Sequence, residues 1–147
     1  MSEGTVLEER HRCRARKPHL CDWCGYRIKG NEEYVRSTIV GDGTIYTWHE
    51  CDRCSDYVPK ARDCFDIPDW EPMYTETFQE YMESEHPVTW WQWCVDDDKE
   101  WLTYAKHHRY PNESDRNDDI RRFTVALEHA QKKLEEAERI RKAVQDA

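Results

Sequence analysis

The chain has 147 residues and a net charge of −9, and its Leu, Ile, Val and Phe together make only 22 residues, 15 % of the total. That is below the roughly 20 % at which a chain becomes a candidate for disorder, so a large aliphatic core is excluded. Seven Trp, eight Tyr and seven Cys offer other sources of stability. No apolar run is long enough for a membrane span or a signal sequence, so we expect a cytosolic protein whose paired cysteines are metal ligands rather than disulfides.

Charge is uneven along the chain. Residues 1–64 carry 11 basic and 11 acidic side chains, residues 65–120 carry 4 and 15, and residues 121–147 carry 7 and 5. We divide the chain into a basic arm (1–17), a cysteine-bearing domain (18–64), an acidic Trp-rich helical segment (65–112) and a long C-terminal helix (113–147).

The arm holds "RHRCRARK", and Arg10, Arg12, Arg14, Arg16 and Lys17 are its candidate nucleic-acid contacts, because phosphate backbones are met by such clusters. It is expected to be flexible or to dock on the protein's own acidic segment. "HLCDWCG" (19–25) follows, with Gly25 suited to the positive-φ turn after a Cys-x-x-Cys knuckle. "YVRSTIV" and "TIYTW", joined by "GDG" (41–43), predict a β-hairpin. "HECDRC" (49–54) then opens a helix that Pro59 limits or kinks.

Cys21-x-x-Cys24 on a tight turn and Cys51-x-x-Cys54 at a helix start can converge tetrahedrally on one zinc ion. His49 is the alternative ligand, displacing Cys51. His19 reads as a local hydrogen-bonding residue. Cys13, Cys64 and Cys94 read as small buried or free thiols.

Knuckle, hairpin and ligand-bearing helix over residues 18–60 resemble a treble-clef zinc finger, and more narrowly the short fingers of bacteriophage and prophage proteins. The resemblance implies an α+β fold and one structural Zn²⁺, in a bacterium or a phage-infected host cell. Cysteine stands at 51, where those fingers usually close with histidine. Treble clefs also scaffold HNH nucleases, but His107, His108 and Asn112 lie outside the finger and read as a polar helix end. With four protein ligands the zinc keeps no open position, so we expect no enzymatic activity.

In the acidic segment, Tyr74, Phe78, Tyr81 and Met82 share one helical face, with Thr77 and Glu80 as a capping box. A second helix includes 100–108; "TWWQWCV" fits either helix or strand. Trp90, Trp91, Trp93 and Trp101 beside Asp96, Asp97 and Asp98 form a candidate surface for a basic, nucleic-acid-handling protein partner, in the manner of an inhibitor; the competing reading makes those tryptophans core. Direct binding of nucleic acid through the arm is the alternative function.

The last segment has the clearest periodicity. Ile120, Phe123, Leu127, Ala130, Leu134, Ala137, Arg141 and Val144 make a heptad seam, with Asn117 as N-cap. The seam predicts either a homodimer or a helical hairpin within the chain.

Overall fold

The computed structural model describes residues 5–41 and 43–147, with side chains from residue 10. The chain divides into two compact units, one up to Tyr81 and the other from Met82. It is a mixed α and β protein, as the sequence predicts.

The first unit contains five strands, β1 (Thr5–Arg14), β2 (His19–Leu20), β3 (Arg27–Ile28), β4 (Glu33–Gly41) and β5 (Thr44–Cys51). Strands β1, β4 and β5 form an antiparallel sheet in that order, while β2 and β3 make a separate two-residue ladder. The expected hairpin is β4–β5, in register Tyr34↔Cys51 and Gly41↔Thr44, with Gly43 at φ +76 in its turn. Most of the arm is part of the fold: residues Thr5–Arg14 form an outer strand of this sheet, paired Arg12↔Val35 and Cys13↔Tyr34. Its alternation of Arg with His and Cys is a period of two, and that period turns Arg10 and Arg12 to one sheet face and His11 and Cys13 to the other.

On one face Arg10 forms an ion pair with Glu50 and donates from Nη2 to the Ser55 carbonyl at 3.1 Å, and Arg12 pairs with Asp52. Glu50 is buried and also accepts from the Trp23 indole at 3.1 Å, so its carboxylate is satisfied from two sides. Two short helices follow, α1 (Asp52–Ser55) and α2 (Val58–Cys64). Pro59 starts the second rather than kinking one long helix, since its missing N–H falls where no intrahelical partner exists. Trp23, Ile28, Tyr34, Val35, Val58, Ala61, Met73 and Phe78 make the interior of this unit.

Helix α3 (Thr75–Glu85) carries the boundary between the units. Phe78, Tyr81 and Met82 are buried as expected, but Tyr74 is 66 % exposed. The helix starts at Thr75, which places Thr77 inside the first turn rather than at the cap.

In the second unit α4 (Pro87–His107) takes in the whole of "TWWQWCV", and α5 (Glu113–Gln145) runs 33 residues. The two helices pack antiparallel. Trp101 lies flat on Phe123 at 5.9 Å between ring centres, and Trp91 meets His129 edge-on at 5.7 Å. Ala130 and Ala137 of the seam are buried, whereas Arg141 and Val144 are exposed. The seam is therefore covered by a helix of the same chain as far as Ala137.

Asn112, not Asn117, caps α5. Its side chain accepts from the N–H of Ser114 at 2.7 Å and Asp115 at 3.4 Å, while Asn117 lies within the helix. Asn112→Ala is expected to destabilise the second unit by about 1 kcal/mol, with Asn117→Ala within about 0.5 kcal/mol of wild type; urea unfolding followed by helical circular dichroism distinguishes them. No helix of the described residues is long and apolar enough to cross a membrane.

Candidate metal centre

The knuckle is built by backbone hydrogen bonds. Cys21 N–H donates to the Tyr26 carbonyl at 2.8 Å, and Gly25 N–H donates back to Cys21 at 2.9 Å. Gly25 sits at φ +79, a conformation that costs a residue with a Cβ about 1–2 kcal/mol. The knuckle is clamped to the sheet where Asp22 N–H donates to the His49 carbonyl at 2.8 Å. In return, His49 N–H donates to Asp22 Oδ2 at 2.7 Å. From α3, Thr75 Oγ1 and Gln79 Nε2 donate to the carbonyls of Asp22 and Trp23, at 2.9 and 3.2 Å. Strand β5 ends at Cys51, which precedes α1, and Cys54 lies within that helix.

The result is a cluster of four sulfurs, from Cys21, Cys24, Cys51 and Cys54, all within 4.8 Å of one another. Cys21 and Cys54 are 3.9 Å apart at Sγ, and Cys24 and Cys51 3.5 Å. A tetrahedral ion with metal–sulfur bonds of about 2.3 Å requires sulfurs about 3.8 Å apart, so the spacing fits such an ion. Cys21, Cys51 and Cys54 are buried and Cys24 is half-buried.

Electrostatics point the same way. Burial pushes the Cys54 thiol far up, and hydrogen bonding to Cys21 raises Cys51. Hydrogen bonds from Cys21, Cys51 and Cys54 hold Cys24 far down, with Arg53 adding to the effect. Crowded sulfurs cannot all carry charge on their own; a divalent cation lets all four be thiolates together. Donors already face the sulfurs that would carry the remaining negative charge. Trp23 and Cys51 N–H point to Cys21 Sγ at 3.4 and 3.3 Å, and Arg53 Nη2 points to Cys24 Sγ at 3.3 Å.

His49 is not a member of the cluster. Its ring lies 3.4 Å from Asp22 Oδ2 and stacks on His19 at 4.2 Å, with Tyr34 alongside. None of the seven cysteines is in a disulfide; Cys64 is exposed, and Cys13 and Cys94 are half-buried. His107 ends α4 and His108 caps it, stacked on Tyr104 at 4.5 Å, while Asn112 caps α5. These three residues serve helix ends.

The acidic segment is redistributed by the fold. Trp90 is 5 % exposed and belongs to the interior of the second unit, while Trp101 is half-buried and covers Phe123. Trp91 and Trp93 are half-buried; Asp96 is exposed, Asp97 and Asp98 half-buried. Burial raises the Asp98 carboxyl above its usual range. Besides Tyr46 and Tyr104, the exposed aromatics among the described residues are Phe65, Trp70 and Tyr74 in the first unit. Their signal in the sequence is the proline-broken stretch 65–74, where no helical face can gather them.

Compared with protein-family models, curated proteins and solved structures, the chain gives no match.

Proposed function

We propose that this chain is a non-enzymatic binding module held together by one structural zinc ion in a centre of treble-clef type. The observation that carries the reading is the four-sulfur cluster, whose donor set is that of closed zinc sites and leaves no position for an activated water. Free thiols suit the reducing interior of a cell, bacterial or phage-infected.

The partner we assign is a basic protein, of the kind that handles nucleic acid, and the module would act on it as a blocking ligand. From Asp63 to Asp98 the chain has 11 carboxylates and no Lys or Arg. Within the first unit that stretch displays Phe65, Trp70 and Tyr74, 43, 60 and 66 % exposed, among Asp63, Asp66, Asp69 and Glu76, which are also exposed. Exposed aromatic anchors in an acidic setting fit a basic surface better than the buried and half-buried tryptophans of α4 do.

The test is affinity capture from a bacterial lysate with zinc-loaded wild type and Trp70→Ala/Tyr74→Ala. A basic protein held by the first and lost by the second is expected. A captured set unchanged by the substitutions, or hydrolysis of nucleic acid or peptide that survives Cys51→Ser, contradicts the reading.

A further inference from the structure

The sheet face opposite Glu50 is basic. Strand alternation turns Tyr34 and Arg36 of β4 and Thr47 and His49 of β5 to this side, in the rows Cys13↔Tyr34 and Arg36↔His49. Arg14 at the end of β1, Arg16 and Lys17 in the connection that follows and His19 of β2 join them, and together they line a groove of about 1320 Å³. Among the described residues that line it there is no carboxylate, in a chain with 31 of them.

The cations differ in how they are engaged. Arg14 is 3.5 Å from Glu33 and donates to the Asn31 carbonyl. Arg36 Nη2 lies 3.3 Å from the ring nitrogen of His11 and also hydrogen-bonds to Tyr34, neither of them a carboxylate. Arg16 and Lys17 are exposed. Arg10 and Arg12, by contrast, are committed to Glu50 and Asp52 on the other face. A net-neutral domain thus presents a locally positive channel, which its sequence total conceals.

We infer that this groove binds single-stranded polynucleotide, with Arg14, Arg16, Lys17 and Arg36 on phosphates and the half-buried His19 and His49 rings, backed by buried Tyr34, beside the bases. Three observations select that ligand. The volume exceeds the ~300–1,000 Å³ of ordinary small-molecule pockets, so a polymer fits better than a lone anion. The groove is concave, which does not match a membrane surface. The His19 and His49 rings stack at 4.2 Å, with Tyr34 at 5.5 and 5.7 Å, and this aromatic wall inside a basic channel is the arrangement that tolerates any base sequence. The inference stands apart from the acidic surface, and Trp70→Ala/Tyr74→Ala leaves it untouched.

Fluorescence anisotropy of the zinc-loaded full chain with labelled dT15 and rU15 tests it, against a 15-base-pair duplex and across a salt series. Three to four neutralised phosphates give log K against log salt a slope of roughly −2 to −3. Arg16→Gln/Lys17→Gln is expected to weaken binding about 10-fold at low salt and flatten the slope by about 1.4. Arg36→Gln should act in the same direction, and Lys132→Gln/Arg139→Gln on α5 should change nothing. Zinc content and circular dichroism confirm that each variant is folded. Binding of either oligonucleotide with this pattern supports the groove. No binding at low salt, equal loss in the α5 control, or a duplex bound at least as tightly overturns it.

Discussion

Cys54→Ser is expected to remove the metal and unfold the first unit while leaving the α4–α5 pair helical. Apart from β5, which ends at Cys51, the elements around the cluster are too short to stand alone: two-residue strands β2 and β3, a four-residue α1 and a seven-residue α2. A structural zinc site in a small domain contributes on the order of 10 kcal/mol or more of apparent binding free energy at neutral pH, more than such a unit retains from its other contacts. Cys54 is fully buried, so serine there also leaves a hydroxyl among three sulfurs. Native mass spectrometry should show one zinc per wild-type chain and none in the variant. The indole resonances of Trp23 and Trp48 should collapse, and most helical circular dichroism should survive, since all four ligands precede Met82. Chelation should reproduce the variant. Lowering the pH acts in the same direction, because each ligand must lose its proton to bind and protonation competes with the metal. A variant that keeps its zinc and both indole resonances sinks the structural role.

Much of this centre is legible from residues alone, because each part has a local cause. Paired Cys-x-x-Cys spacings, a glycine at the one position with φ +79 and a Gly-rich hairpin turn need no long-range information. The choice between Cys51 and His49 is different. It depends on the Asp22 side chain and the His19 ring, which reach His49 only in the folded unit. The arm is the clearest misreading: five cations in eight residues look like a tail, yet their period of two is a strand pattern. Glu50 and Asp52, about 40 positions away, are what turn repulsion into pairing. The C-terminal seam shows the same limit. Its heptads announce an apolar stripe but carry no mark of whose helix covers it, and here α4 of the same chain does so. Asn112 and Asn117 are equivalent as cap residues in composition. Pro111 decides in favour of the first, since it holds the residue before it in extended backbone and leaves Asn112 free to start the helix.

The second large effect is expected at Glu50, where arm, knuckle and sheet meet. Its carboxylate accepts from Arg10 Nε at 3.2 Å and from Trp23 Nε1 at 3.1 Å, and pairs with Arg10 Nη2, at a side-chain exposure of only 3 %. Glu50→Ala strands a guanidinium and a buried indole N–H together, a loss of about 3–5 kcal/mol for a broken buried pair. Arg10 keeps 35 % of its side chain in solvent, which places the cost toward the lower end of that range. Glu50→Gln keeps an acceptor for the indole and loses only the charge, so about 1.5–3 kcal/mol is expected. Urea unfolding of the zinc-loaded chain, read at the Trp23 indole resonance, should rank wild type above Glu50→Gln above Glu50→Ala. Equal stabilities for all three would show that the pair is a solvated surface contact. Arg10→Met/Glu50→Leu should recover part of the loss, because an apolar pair carries no desolvated charge. The single change Arg10→Met separates the two roles of the basic segment. It should lower stability yet leave the salt slope for dT15 unchanged, because Arg10 is a strut of the sheet and the phosphate-facing charges lie on the opposite side.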